Sequence, residues 1–155
     1  MKISELINDR LIIPKFTGKS KKQVLEELAK HLALNKKNID PDELLRVLIE
    51  REKLGSTGIG DGVAIPHGKL NGLENIILVF GKSNEGIDFD SIDGKPVNLI
   101  FLLVAPSNSA GVHLKALARL SRLLKDKNFR QELIDASDAQ SLYNIIANED
   151  EKVSA

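Results

Sequence analysis

Hydrophobic residues recur along the chain with two different periods, which predict helices near both ends and strands in the middle. From Ser20 onward, apolar residues three and four positions apart predict a helix, and the same spacing predicts a second helix from Pro41 to about Lys53. Ser20 and Asp40 are typical helix caps, and proline is well suited to the first helical position. Helical spacing returns later in the chain, at about residues 110–125, 128–136 and 138–147.

Between these helices the apolar runs are too short for helices and predict strands. Val97–Ala105 is the most apolar run, so we expect it to form a central strand. The run at residues 11–13 precedes Pro14 and is expected at a sheet edge, because proline cannot donate to a ladder. Shorter strands are expected at Val63–Ile65 and Ile76–Phe80, and apolar and acidic residues alternate between 86 and 93.

This order of elements predicts the fold class. Helices that precede and follow a block of strands favour an α/β protein, a single layered domain in which a mixed β-sheet is flanked by helices. We expect this one domain to cover residues 1–155, since we find no internal repeat and no linker. The polar segment 148–155 is expected to be a frayed tail.

Composition narrows the classes of function. Twenty-two basic and twenty-two acidic residues cancel, so no overall charge favours nucleic acid or an anionic membrane. The chain has no cysteine, which excludes disulfides and thiolate metal sites. The first ten residues lack the apolar run of a signal peptide, and no run is long enough to cross a bilayer. We therefore expect a cytoplasmic protein without membrane insertion and without a nucleic-acid partner.

The stretch from Arg51 to Lys69, REKLGSTGIGDGVAIPHGK, is the candidate for chemistry. It holds five of the eleven glycines, a density that indicates a shaped backbone open to close approach. Pro66 fixes the backbone angle immediately before His67, and we expect Gly68 to leave the far side of the imidazole uncrowded. A histidine held in this way, among exposed amides, is a candidate reactive group.

Two other kinds of site fit the glycines less well. A P-loop needs a glycine five residues before Gly-Lys-Ser, and Ile13 and Ile76 stand at the two positions where it would be required. The alternate glycines at 58, 60 and 62 open no predicted helix, so a dinucleotide fingerprint also fails. His67, His113 and Asp61 could bind a metal only by converging in space, because no close histidine pair or HExxH pattern exists. We expect neither a metal nor a cofactor.

Nucleophilic catalysis by His67 agrees better with the residues. A neutral imidazole is a good nucleophile toward phosphorus, and the transfer needs donors and a cation for the phosphoryl oxygens. The candidate donors and charges are the Ser56 and Thr57 hydroxyls, the N–H groups of glycines such as Gly58, the Arg51 guanidinium and the His113 imidazole. A structural role in a tight turn is the alternative for His67, and a cap or a packed polar residue is the alternative for His113.

Four segments carry a resemblance to a known family. They are Arg51-Glu52 with GSTGIGDGVAIPHGK, IDFDSIDGKPV at 87–97, LIFLLVAP, and the HLKALARLSRLL helix that starts at His113. The resemblance extends beyond these segments, over roughly residues 6–146. The chain resembles the enzyme IIA domains of the phosphoenolpyruvate-dependent sugar phosphotransferase system, in the fructose, mannitol and nitrogen-regulatory class.

This resemblance implies a phosphotransferase that works as a phosphohistidine carrier. His67 matches the histidine that accepts a phosphoryl group from the phosphocarrier HPr or its nitrogen-branch counterpart. His113 matches the second active-site histidine, and Arg51 matches the arginine near the phosphoryl group. The implied acceptor is a IIB domain or a regulatory protein target, and the only cofactor-like species is the covalent phosphohistidine.

The free-standing module and the GSTGIG-x-G-x-AIPHGK pattern resemble the nitrogen-regulatory type. A stand-alone fructose-type IIA component that donates to a IIB domain is the alternative. A regulatory binding module that acts mainly through protein contacts is a further one.

Overall fold

The computed structural model describes residues 1–153, which form a mixed sheet with helices packed around it. Within these residues, six strands share one sheet. They are β1 (Ile12–Ile13), β2 (Gly58–Gly60), β3 (Val63–Ala64), β4 (His67–Leu70), β5 (Ile77–Ile87) and β6 (Val97–Pro106). The strand order is β1-β5-β6-β3-β2, and β4 also pairs with β6. The predicted fold class is confirmed.

The sheet is mixed in direction around its most buried strand. β6 runs antiparallel to β5 and parallel to β3 and β4, while β1 joins β5 in parallel at the edge. From Leu99 to Ala105 every β6 side chain is at most 1% exposed. The central position of this strand and the edge position of the strand near Pro14 are both confirmed.

Five α-helices lie within the described residues: α1 (Lys21–Asn35), α2 (Pro41–Lys53), α3 (Ala110–Leu123), α4 (Lys127–Asp135) and α5 (Ala139–Lys152). Short 3-10 turns at Ile3–Glu5 and Asp9–Leu11 precede them. Two predicted caps are confirmed, since Ser20 accepts from the Gln23 amide and Asp40 accepts from the Asp42 amide. Ser109 occupies the N-cap position of α3, but its side chain makes no capping hydrogen bond.

The strand expected at Ile76–Phe80 is longer than predicted, because a lysine is buried within it. Lys82 is 3% exposed, and its ammonium donates to backbone carbonyls at the end of α4, including that of Leu133 at 3.1 Å. Burial lowers the pKa of Lys82. In the sequence, the charge of Lys82 suggests that the strand ends before it. In the structure, Lys82 links β5 to α4, and the strand continues to Ile87.

The expectation of a frayed tail at 148–155 is wrong for residues 148–152, which belong to α5. Asp150 is fully buried, and its carboxylate accepts from Arg119 Nε at 2.7 Å and from the Ser4 amide at 2.9 Å. These partners lie on α3 and in the first 3-10 turn. The polar residues at the end of the chain therefore make a tertiary contact that their sequence does not indicate. Residues 154 and 155 lie outside the described part of the chain.

Candidate active site

His67 stands on the sheet rather than on a free loop. It is the first residue of β4 and pairs with Leu103 of β6, and the Leu103 amide donates to the Pro66 carbonyl at 3.0 Å. The glycine-rich stretch, expected to contain one strand, contains β2, β3 and β4. The backbone that carries the imidazole is therefore held by ladder hydrogen bonds as well as by the proline before it.

The two ring nitrogens of His67 have different partners, and these determine its tautomer. Nδ1 lies 2.9 Å from the Ile65 carbonyl oxygen, and Nε2 lies 3.3 Å from Arg51 Nε. A carbonyl can only accept and a guanidinium N–H can only donate. The proton of the neutral ring therefore resides on Nδ1, and the lone pair available for attack resides on Nε2.

Arg51 reaches His67 from the last turn of α2. Its Nη1 also donates to the Gly55 carbonyl at 2.8 Å, which fixes the plane of the guanidinium. A close helix approach makes this possible, because a Cβ on Gly68 would stand only 2.6 Å from Val47 Cγ1. Val47 lies one turn before Arg51 on the same face of α2. The missing methyl group at Gly68 thus lets the helix carry its guanidinium to the ring.

His113 joins this pair from the first turns of α3. Its ring centroid is 5.3 Å from that of His67, with the planes at 77°, and the residue is 6% exposed. Burial, followed by the charges of His67 and Lys69, lowers the pKa of His113 to about 4. Its Nε2 is buried and has no hydrogen-bond partner within residues 1–153. A buried polar atom without a protein partner is unusual, so His113 Nε2 is a candidate contact for a bound group.

Ser56, Thr57 and Gly58, the candidate phosphoryl ligands, are hydrogen-bonded within the protein. The Ser56 hydroxyl donates to the Phe89 carbonyl at 2.6 Å and accepts from the Gly58 amide at 3.0 Å. The Thr57 hydroxyl donates to Glu52 and is buried. In this arrangement the three residues shape the loop, and their direct contact with a phosphoryl group stays a prediction.

Glu52 is a member of the site that sequence reasoning missed. Its side chain is only 7% exposed and lies 2.9 Å from Lys21 Nζ, and it accepts from the Thr57 amide at 3.0 Å. One signal in the sequence could have identified it. An acidic residue in the last turn of a helix is unfavourable toward the helix dipole, so Glu52 requires a compensating partner.

Large apolar side chains stand exposed beside the site. Leu54 is 85% exposed and precedes Gly55, and Leu114 is 68% exposed and follows His113. Ile92 is 84% exposed, and its amide donates to the Gly58 carbonyl at 3.1 Å. Exposed apolar residues adjacent to residues of the site indicate a surface for a protein partner.

Residues 1–153 contain neither a metal-binding cluster nor a membrane-spanning helix. This part of the chain holds no group of three or more histidine, aspartate or glutamate side chains placed to bind a metal ion. None of its helices has the length and apolar character needed to span a membrane.

The fold and the paired histidines define a class of protein. The family model for the phosphoenolpyruvate-dependent sugar phosphotransferase system, EIIA 2, matches residues 5–149. The chain belongs to this family.

Two curated relatives place the chain within that family. It is 47% identical over 148 residues to the nitrogen regulatory protein of Bradyrhizobium diazoefficiens, and the match covers 95% of both chains. It is 36% identical over 150 residues to the fructose-specific EIIABC component of Bacillus subtilis. That match covers 97% of this chain but 24% of the longer protein.

Solved structures show the same fold. The nitrogen regulatory protein IIA-Ntr from Neisseria meningitidis superposes with a TM-score of 0.86 at 37% identity, and covers 93% of this chain and 98% of its own. Enzyme IIA of mannitol from Escherichia coli, solved in complex with phosphorylated enzyme IIB, superposes with a TM-score of 0.76. At 19% identity, with 92% of this chain and 97% of that one covered, this second likeness concerns the fold alone.

Proposed function

We propose that this protein is a phosphocarrier of the nitrogen-regulatory type, which accepts a phosphoryl group on His67 Nε2 and passes it on. One observation carries the proposal: Nε2 holds the ring's lone pair, faces Arg51 at 3.3 Å, and has its proton-bearing counterpart hydrogen-bonded to Ile65. The 47% identical nitrogen regulatory relative supports the choice of type.

The chemical step needs no proton transfer at His67. The Nε2 lone pair forms the new bond to phosphorus, while the bond from phosphorus to the donor breaks and its electron pair returns to the donor. Nδ1 keeps its proton and its hydrogen bond to the Ile65 carbonyl throughout. That carbonyl stabilises the positive charge that the ring acquires, because a hydrogen bond to a charged group is stronger than one to a neutral group.

Arg51 and His113 would act on the phosphoryl oxygens. Attack releases the guanidinium from Nε2, and the five donors of arginine allow it to bind an oxygen while it retains the Gly55 carbonyl. The unpartnered Nε2 of His113 is the position for a second oxygen. A dianionic group on His67 would raise the pKa of His113 from its lowered value and favour the donating, protonated form.

The proposed donor is an HPr-type phosphocarrier, and the acceptor is a IIB domain or a regulatory protein. The exposed side chains of Leu54, Ile92 and Leu114 support docking of a protein beside the histidines. A IIB acceptor is supported by the complex formed by the mannitol relative of the same fold.

Labelling with phosphoenolpyruvate, enzyme I and HPr tests the carrier role. We expect the chain to take up phosphate in an acid-labile, alkali-stable form, and His67→Ala to abolish that uptake. His31→Ala is the matched control, since His31 lies on α1 and contacts the Arg10 carbonyl instead of the site. Equal labelling of wild type and His67→Ala would rule out the assignment.

A second candidate is sugar transport, which the 36% identical fructose-specific relative favours. In that case the labelled chain should transfer its phosphoryl group rapidly to a fructose-type IIB domain. Retention of the label in the presence of that domain would favour regulation. If a regulatory target binds wild type, His67→Ala and His67→Asp equally, the chain acts through protein contacts alone.

A further inference from the structure

Two consecutive residues of α2, Arg51 and Glu52, are linked to the two different nitrogens of the His67 ring. Arg51 donates directly to Nε2 at 3.3 Å. Glu52, the next residue, is connected to the opposite nitrogen through the backbone of Thr57 and Ile65, which flank β2 and β3. The charge pattern shows a basic and an acidic residue side by side at a helix end, but it does not show which group each of them contacts.

The Glu52 carboxylate holds Thr57 at two points. One oxygen accepts from the Thr57 amide at 3.0 Å, and the other accepts from the Thr57 hydroxyl. Thr57 is 4% exposed, so solvent does not compete for these bonds. Lys21 Nζ, at 2.9 Å, neutralises the buried carboxylate from α1.

Thr57 in turn fixes the residue that orients the ring. Its carbonyl accepts from the Ile65 amide at 3.0 Å, and the Ile65 carbonyl accepts from His67 Nδ1 at 2.9 Å. Hydrogen bonds and the intervening backbone of Thr57 and Ile65 therefore connect the carboxylate to the imidazole. A displacement of Thr57 moves the only acceptor that Nδ1 has among the described residues.

We infer that Glu52 is a positioning residue of the active site, which keeps the His67 proton on Nδ1 by holding Thr57 and, through it, the Ile65 carbonyl. This inference rests on the proposed role of His67 as phosphoryl acceptor. Without that carbonyl in place, the proton can move to Nε2, and the nitrogen that should attack no longer has an in-plane lone pair available.

Two observations distinguish positioning from ordinary support of the fold. Glu52 is placed against the helix dipole, where a neutral residue would be tolerated better. It also contacts the loop that bears the site rather than the hydrophobic core. A group placed at such a cost, with its contacts directed toward a reactive side chain, is typical of the outer shell that orients a functional group.

The experiment measures the tautomer of His67 in unphosphorylated protein by ¹⁵N NMR of its ring nitrogens. We expect wild type to show the proton on Nδ1, and Glu52→Gln and Glu52→Ala to show an increasing share of the Nε2-protonated ring, because Arg51 still donates to Nε2 in both variants. Glu50→Gln and Glu50→Ala are the matched controls, since Glu50 lies on the same helix, is 60% exposed and pairs with Arg46 on that helix.

Phosphoryl transfer from labelled HPr gives the second readout. In Glu52→Ala we expect kcat to fall by about 10–100-fold, the usual effect of displacing an outer-shell group, while KM stays unchanged. The docking surface is untouched, so a purely local change in reactivity affects only kcat. Glu50→Ala should match wild type in both parameters.

An Nδ1-protonated His67 in folded Glu52→Ala would overturn the inference. If Glu52→Ala does not fold, Glu52→Gln decides in the same way, since an unchanged tautomer there also overturns it. The NMR measurement needs no phosphoryl donor, so it judges Glu52 even if His67 takes up no label. Conversely, if wild type takes up label but the tautomer is unchanged in the Glu52 variants, the positioning role of Glu52 is wrong and the carrier role of His67 still holds.

Discussion

His113 is a base that its surroundings keep uncharged. Burial is the main reason that its pKa falls to about 4, and the nearby charges of His67 and Lys69 add to the effect. A neutral imidazole beside the nucleophile neither repels a partner's cations nor attracts stray anions before the phosphoryl group arrives. The lowered pKa also reduces the stability of the fold at acid pH, because His113 binds a proton more readily in the unfolded chain than in the folded chain.

The pH dependence of stability should show this effect. Between pH 6.5 and about 4 the unfolded state binds more protons at His113 than the folded state, so its contribution is present above pH 6.5 and is lost as pH falls. The loss between pH 7 and pH 5 is about 2 kcal/mol by linkage. Urea unfolding at both pH values should give a difference smaller by that amount in His113→Gln. His31→Gln is the control and should keep the wild-type difference between the two pH values. If His113→Gln keeps it as well, the lowered pKa of His113 is wrong.

The residues of the site were predictable to different degrees. His67, Arg51 and His113 were identified from a proline-fixed histidine, nearby charge and family resemblance, and the structure brings all three together. Glu52 was missed because its significance depends on Thr57 and Lys21, which meet it only in the folded protein. The tautomer was equally hidden, since the acceptor of the Nδ1 proton is a backbone carbonyl.

At the scale of elements, the contact between α2 and β4 determines the spacing within the site. Gly68 follows His67 on β4, and Val47 precedes Arg51 by one turn on α2. Sequence alone gave Gly68 a different role, that of leaving the imidazole uncrowded. The structure shows that its missing side chain instead accommodates the helix.

Gly68→Ala should therefore weaken the site by displacing a helix. The new methyl group would overlap Val47 Cγ1, and overpacking of this kind costs about 1–3 kcal/mol. We expect a lower free energy of unfolding together with slower labelling of His67. Val47→Ala in the same chain removes the overlapping atom and should restore both. If Gly68→Ala labels at the normal rate, the helix contact does not determine the distance between Arg51 and His67.

The strands around the site also show where elements escape prediction. β4 exists because His67 to Leu70 pair with residues 103 to 106, more than thirty positions along the chain. No local pattern reveals such a pairing, and glycine favours a loop interpretation. The buried strands β5 and β6 were found because their apolar side chains are contiguous in sequence.

At the scale of the whole molecule, a buried ion pair joins segments from both ends of the chain. Arg119 of α3 binds both the carboxylate and the backbone carbonyl of Asp150, and Asp150 also accepts from the Ser4 amide. The single layered fold was predictable from the order of elements. The contact between the two ends of the chain was not predictable, because its charged residues are typical of solvent-exposed positions until their partners are known.

Arg119→Ala should destabilise the protein strongly. It leaves the buried Asp150 carboxylate without its cation, and breaking a buried pair in this way costs about 3–5 kcal/mol. Urea unfolding provides the measurement. Arg119→Met combined with Asp150→Leu should lose much less than Arg119→Ala, because no uncompensated charge remains. A single-variant loss below about 1 kcal/mol, the value typical of surface pairs, would mean that the pair is not buried in solution.

The attachment of His67 to β6 has a consequence for the timing of transfer. Backbone that is bonded to the most buried strand opens only at a cost close to that of global unfolding, so the nucleophile stays in place during each encounter. The donor must bring its phosphoryl group to a stationary ring. The duration of one transfer is then determined by how quickly two proteins meet and separate, rather than by an internal rearrangement.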